Sequence, residues 1–414
     1  MTFSRASALL AIVLATVAGL SAQSGSSPAD RATALHKAVP TIDGHNDYPW
    51  ALREKSPGRD LNVLDIGQSQ PSLMTDIARL RAGGVGGQFW SVYVPATMQG
   101  KEAVRATLEQ IDIVHRMVAK YPDTFVLART ADDVERAFKA GKVGSMIGME
   151  GGHSIDSSLA TLRMMHALGA GYMTLAHSKN VPWADSATDK PVLGGLSPFG
   201  EQVVREMNRL GMLVDLSHVS EDTMADAIRV SRAPVMFSHS SARAVCGHPR
   251  NVPDAILKQL PANGGIVMVT FVPSFIAPVA GAKYAEEYAM FSSLQEQYAS
   301  EPEKLRAAIA EYRKTHPAPK ATLSMVADHI DHIRKVAGID HIGLGGDFDG
   351  IDSVVEGLED VSKYPALTAE LLRRGYGDED IKKILGLNIL RVMRKAEATA
   401  TELKNEPPSV AVIK

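Results

Sequence analysis

Six short apolar runs in this sequence end in a histidine, an aspartate or a glutamate. The first closes on Asp43-Gly44-His45-Asn46-Asp47, another on Glu150-Gly151-Gly152-His153 and a third on His177. The remaining three close on Ser217-His218, on His239-Ser240-Ser241 and on Gly346-Asp347-Phe348-Asp349-Gly350. His45 and Asp47, two apart, project to one side of an extended chain. Imidazole and carboxylate are ligands for Zn²⁺ and similar ions. With Glu150, His218 and His239 they make five candidate ligands. That is too many for one tetrahedral structural zinc, but it fits two metal ions bridged by a carboxylate and a water. A lone His-x-Asp pair carries little weight, because a single strand-end histidine commonly serves packing. The joint placement carries the inference, since buried charge without a partner is costly.

These residues need elements that bring them together. Eight apolar runs, at residues 39–43, 87–94, 143–149, 172–176, 212–216, 234–238, 265–271 and 341–345, read as strands covered on both faces. Amphipathic patterns lie between them, at 103–120, 130–141, 157–168, 199–210, 220–231 and 252–262. This alternation predicts an α/β chain folded as a (β/α)₈ TIM-type barrel, with an open doubly wound sheet as the alternative. A barrel gathers all strand ends on one face, where active sites sit. Extra helical segments at 282–299, 302–315 and 321–336 predict a helical insertion before the last strand, covering the barrel mouth or forming a subunit contact.

Composition sets the outer limits. The 414 residues are 45% hydrophobic and 22% charged, which suits a folded globular chain. The net charge of −3 gives no basic excess, so no nucleic-acid partner is expected. Cys246 is the single cysteine, which excludes an intrachain disulfide and a cysteine metal cluster. Arg5, an apolar stretch and Ser21-Ala22 read as a secretory signal peptide over residues 1–22. The mature chain is then secreted or periplasmic, with no integral membrane span. Residues 23–398 read as one domain and 399–414 as a flexible tail.

Other histidines read more plainly. His329 and His332, beside Asp328 and Asp331, suit a solvated helix face, and His115, His166 and His316 suit the surface. His153 is near Glu150, and supporting it is the less favoured of its readings. Asp347 to Asp352 lacks the glycine and glutamate positions of a calcium loop. The glycines at 83–87 lack phosphate-loop and dinucleotide spacings.

A set of motifs then becomes specific. Ile42-Asp-Gly-His-Asn-Asp47, Gly148-Met-Glu-Gly-Gly152, Leu175-Ala-His-Ser-Lys-Asn180, Pro182-Trp-Ala-Asp185, Val214-Asp-Leu-Ser-His218, Phe237-Ser-His-Ser-Ser241, Arg250-Asn-Val-Pro-Asp254, Gly345-Gly-Asp-Phe-Asp-Gly350 and Gly357-Leu-Glu-Asp-Val361 occur in this order. Over residues 38–395 the sequence resembles the membrane (renal) dipeptidase family. The resemblance implies a zinc-dependent barrel of the amidohydrolase superfamily that cleaves dipeptides and forms a homodimer. It implies two Zn²⁺ per chain, one on His45 and Asp47 and one on His218 and His239, with Glu150 bridging. It implies that His177 binds the scissile carbonyl oxygen, Arg250 the substrate carboxylate, and that Asp347 transfers the proton. Relatives accept a D-residue at the carboxyl end, so an L-Xaa-D-Xaa substrate is expected. The family's substrate-contacting tyrosine after the seventh strand is absent, and Thr270-Phe271-Val272-Pro273 stands there. A lactonase, deaminase or acylamino-acid deacylase on the same scaffold, and a non-catalytic metal-binding protein, are the alternatives.

Overall fold

The computed structural model describes residues 27–298, 301–317 and 320–413; the expected signal peptide lies outside them. Nine parallel strands run in chain order: β1 Thr41–Asn46, β2 Val85–Ser91, β3 Phe125–Leu127, β4 Val143–Glu150, β5 Ala170–Thr174, β6 Leu213–Asp215, β7 Met236–Ser240, β8 Ile266–Val269 and β9 Ile342–Leu344. Their order is β2-β1-β9-β8-β7-β6-β5-β4-β3, and a further pairing of β2 with β4 closes the ring. Eight strands therefore form the barrel, and all eight correspond to the apolar runs. The extra strand, β3, pairs with the first three residues of β4, and β5 takes the same edge from Ile147 onward. It was not read from sequence because it is only three residues long, two of them exposed. The open-sheet alternative is excluded by the β2–β4 closure.

Every residue of β1, β2 and β4 is buried, as expected for strands between a packed interior and an outer helical layer. Helix starts follow their sequence signals. Thr130 and Asp133 form a reciprocal cap on Ala131–Lys139, and Ser158, Ser197 and Ser220 cap their helices through side-chain oxygens. The segment expected as one helix at 252–262 is broken into Asp254–Leu257 and Leu260–Asn263. The break falls at Lys258 and Gln259, and Pro261 stands in the first turn of the second helix, where its missing backbone donor cannot continue the first.

The insertion lies between β8 and β9. It comprises helices Pro273–Ile276, Pro278–Gln297, Pro302–Thr315 and Leu323–Val336. His329, expected on a solvated face, is instead fully buried. Its Nδ1 accepts from Ala242 N at 3.0 Å, and its Nε2 lies 3.1 Å from the Ile276 carbonyl. His332 bonds Asp254 at 2.7 Å. This helix face is turned inward and ties the insertion to the loop after β7. Cys246 is buried, its sulfur 3.2 Å from the Ala277 carbonyl. At the carboxyl end, helix Asn388–Leu403 carries through Thr399, and Ser409 donates from its backbone to Glu206 at 3.3 Å. Among the described residues no helix is long and apolar enough to cross a membrane.

Candidate active site

The barrel brings all the proposed site residues together. Asp47, Glu150, His177, His218, His239, Arg250 and Asp347 line one cleft of ≈ 850 Å³ at the carboxyl ends of the strands. His45 lies behind them, fully buried, with Nε2 3.2 Å from Asp47 Oδ2 and 3.5 Å from Glu150 Oε2. Glu150 divides its two oxygens. Oε2 faces His45, while Oε1 lies 2.9 Å from His218 Nε2, 3.4 Å from His177 Nε2 and 3.6 Å from His239 Nε2. Asp47 and Asp347 bring carboxylate oxygens close to His45, completing a third group of possible ligands.

Buried partners orient these rings. With Nε2 turned to the cleft, His45 Nδ1 carries the proton and donates to the Tyr172 hydroxyl at 2.8 Å. Tyr172 donates in turn to the Gly44 carbonyl at 3.3 Å. His239 Nδ1 donates to Ser238 Oγ at 2.8 Å, and Ser238 donates to Asp215 Oδ2 at 2.7 Å. Asp215 also accepts from Thr174 Oγ1 at 2.5 Å and from the backbone of Ser217 and Ser238. Asp43 does the same work at the first strand, accepting from His45 N, Gln88 Nε2 and Gly346 N. Ser91 donates to Glu150 Oε2 at 3.2 Å.

Sequence reasoning missed these supports. Tyr172 sits in an apolar run and reads as core. Ser238 and Asp215 adjoin site histidines within the motifs, and that adjacency was the available signal. Gly148, also in a motif, has a clear role: a Cβ there would collide with the Tyr172 ring. Among the described residues no hydrogen bond joins His153 to Glu150; it is buried with Nε2 3.0 Å from the Val94 carbonyl.

Two site residues hold left-handed backbone, His218 at φ 71° and Asp347 at φ 61°. Each such conformation costs about 1–3 kcal/mol and persists where the surroundings fix it. The fold accepts that cost to aim these side chains into the cleft.

Electrostatics match the geometry. Burial, reinforced by Arg250 and His177, holds His218 well below the usual imidazole range. Burial, with His45 and Arg250, does the same to His239. Both rings are thus neutral and present lone pairs, the form a metal requires. Burial opposes charge on Glu150, but His45 and His177 outweigh it and hold the carboxyl well below its normal range. Burial raises Asp347 well above the carboxylate range, with Asp47 and Glu150 adding to it against His45 and Arg250.

A divalent metal fits this donor set. His45 Nε2 and Asp47 Oδ1 are buried atoms with no hydrogen-bond partner. His218 Nε2 and His239 Nε2 lie 2.9 Å apart, so one cation can be reached by both rings. A cation satisfies both conditions.

Arg250 is a different kind of group. It is 3% exposed, and among the described residues no carboxylate lies within ion-pair distance of it. Its weak bonds run to Ser240 Oγ at 3.4 Å and the His239 carbonyl at 3.3 Å, and Nε has none. Burial pulls its pKa down to about 10, which leaves it charged at neutral pH.

Neutral imidazoles and a divided carboxylate at a barrel mouth are the working parts of a metal-dependent hydrolase. Comparison with known proteins narrows the class. The family model for membrane dipeptidase (peptidase family M19) matches residues 29–407. The chain is 42% identical to Dipeptidase 3 of Rattus norvegicus over 386 residues, covering 92% of this chain and 70% of that protein. It is 40% identical to Dipeptidase verJ of Clonostachys rogersoniana over 385 residues, covering 90% and 88%. Its fold superposes on the probable dipeptidase PvdM from Pseudomonas aeruginosa with a TM-score of 0.76 at 26% identity, covering 90% of this chain and 99% of that one. A metallopeptidase from Rhodobacter sphaeroides, liganded with a phosphinate mimic of the dipeptide L-Ala-D-Ala, gives a TM-score of 0.71 at 25% identity, covering 86% and 99%. The chain belongs to the membrane dipeptidase family and is a metallo-dipeptidase.

Proposed function

We propose that this chain is an exported, zinc-dependent dipeptidase whose site holds two Zn²⁺, His45 and Asp47 serving one, His218 and His239 the other, and Glu150 both. The division of the Glu150 oxygens between His45 and the two other histidines supports that arrangement. Bound zinc supplies Lewis acidity, which makes water a nucleophile near neutral pH and polarises a carbonyl. The protein's own groups do the rest. His177 donates from its ring to the developing oxyanion of the scissile carbonyl. Asp347 acts from its carboxylate form: it takes the proton from the attacking water and delivers it to the leaving nitrogen, and the high proton affinity that burial gives it suits that transfer.

The observation that carries the dipeptide reading is Arg250. A buried guanidinium without a carboxylate partner calls for an anion, and its planar fork matches a terminal carboxylate. A clamp on the carboxyl end beside the cutting groups places the scissile bond one residue from that end. The L-Ala-D-Ala mimic in the Rhodobacter sphaeroides protein supports an L-Xaa-D-Xaa substrate here. Export rests on the signal-peptide features of residues 1–22, and pairing into a homodimer on the family resemblance.

The test is hydrolysis of L-L and L-D dipeptides and one tripeptide by zinc-loaded protein, with and without chelator. Chelator-sensitive cleavage of dipeptides alone is expected. An uncut dipeptide panel in zinc-loaded samples rejects the proposal.

A further inference from the structure

Beside the metal cleft the insertion builds a second pocket, of ≈ 300 Å³. The two spaces share Arg250 and His218. Three aromatic side chains of helix Pro278–Gln297, Tyr284, Tyr288 and Phe291, form one wall, and Phe275 faces them from the preceding short helix. His248 joins the two sides, its ring 4.4 Å from Phe275 and 4.4 Å from Tyr284. Tyr284 and Tyr288 are stacked at 5.7 Å.

The pocket is polar at one end and apolar at the other. Arg250 is tied to His248, whose Nδ1 accepts from Arg250 N at 3.1 Å, and the guanidinium lies 5.2 Å from the Phe275 ring. Tyr284 adds a buried hydroxyl with no hydrogen-bond partner. Phe291 offers ring surface, and Tyr288 a ring with its hydroxyl. Of the charged groups at the wall, Arg313 and Glu287 are engaged with each other at 3.9 Å, and Lys179 stands on the side of Ser178 and Thr188.

A dipeptide with its carboxylate on Arg250 brings its last side chain to the mouth of this pocket. That side chain leaves the same Cα that bears the carboxylate, so it departs within two bonds of the clamp. A space of this size sits at the lower limit for small-molecule sites and suits one side chain rather than a whole dipeptide. Aromatic walls reward a large apolar occupant through burial and ring–ring contact. Resting on the dipeptidase reading above, we propose that this aromatic pocket is the specificity site for the carboxyl-terminal side chain, and that it selects dipeptides ending in a large apolar or aromatic residue.

Binding tests this separately from turnover. The probes are reduced-bond analogues of glycyl-phenylalanine and glycyl-alanine, with the last residue in both configurations, titrated into the zinc-loaded full chain by calorimetry. At least one phenylalanine analogue should bind tenfold or more tighter than its alanine counterpart. Phe291→Ala should cut that ratio at least fivefold. Ser292→Phe, which fills the pocket instead of emptying it, should cut it as well and guards against a folding defect in the first variant. Equal affinity for the phenylalanine and alanine analogues, or a ratio that neither variant changes, overturns the proposal. Hydrolysis of glycyl-alanine in parallel reports on the dipeptidase reading. Protein that prefers the phenylalanine analogue but cuts no dipeptide refutes that reading and leaves the pocket assignment standing.

Discussion

The Tyr172 hydroxyl lies 2.8 Å from His45 Nδ1, and this contact fixes which ring nitrogen of His45 faces the cleft. Both residues are fully buried, so no water replaces the bond if it is lost. Gly148 makes the arrangement possible, because a side chain on β4 at that point would occupy the space of the Tyr172 ring.

Tyr172→Phe therefore keeps the packing and removes the acceptor. His45 is left with a buried N–H that lacks its partner, a penalty of about 1–3 kcal/mol. Loss of such outer support to a metal-binding histidine typically lowers metal affinity about 10–100-fold. Competition of the variant against a zinc chelator checks this. Unchanged affinity means that the hydroxyl does not orient His45.

Gly148→Ala acts on the same pair from the other side. The added methyl forces the Tyr172 ring away, and overpacking of this kind costs about 1–3 kcal/mol. Denaturant unfolding should show that loss, and zinc affinity should fall with it. In combination with Tyr172→Phe the effects on zinc affinity should not add, since both changes break one contact. Full additivity places Gly148 outside the His45 support.

Much of this was legible in the sequence, and the physical reason is strand geometry. Residues 39–43 and 341–345 are apolar because barrel strands are covered on both faces, and the polar residues after them mark the open end. His45, Glu150, His218 and Asp347 were visible because strand ends announce them. Tyr172 was not, since a tyrosine within an apolar run has the same signature whether it packs or donates. His329 was misjudged for a related reason. A helix bearing Asp328, Asp331 and His332 looks solvated, and only tertiary packing turns His329 towards Ala242 and Ile276. The aromatic pocket was hidden because Phe275 and Phe291 meet only through the insertion's fold.

A buried histidine far from the cleft should govern acid stability. His36 lies between the Thr41 hydroxyl at 2.7 Å and the Thr368 hydroxyl at 2.8 Å, joining helix Pro28–Ala38 to helix Tyr364–Arg373. Burial lowers its pKa from 6.5 to about 4, against a backbone bond with Gly83. The unfolded chain takes up a proton near pH 6.5 that the folded chain refuses until about pH 4. The stabilisation is thus complete above pH 6.5 and is lost as pH falls from there towards 4, by about 3 kcal/mol in all. Urea unfolding of the native chain and His36→Gln across this window should show a shallower pH slope in the variant, by up to about 1.4 kcal/mol per pH unit. Equal slopes locate the acid sensitivity elsewhere.

Metal removal should weaken the fold as well as the activity. Without a cation, Asp47 Oδ1 and His45 Nε2 remain buried and unpartnered. A ligand bound only by the folded chain stabilises it by about 2.7 kcal/mol at a hundredfold excess over Kd. For a chain of this size that corresponds to a Tm rise of several degrees. Chelated protein should therefore melt lower than zinc-loaded protein and recover when zinc is restored. Asp47→Asn, which keeps the side-chain shape but removes its charge, should recover less. A melting temperature indifferent to both chelator and zinc means that no metal occupies the cluster in the folded chain.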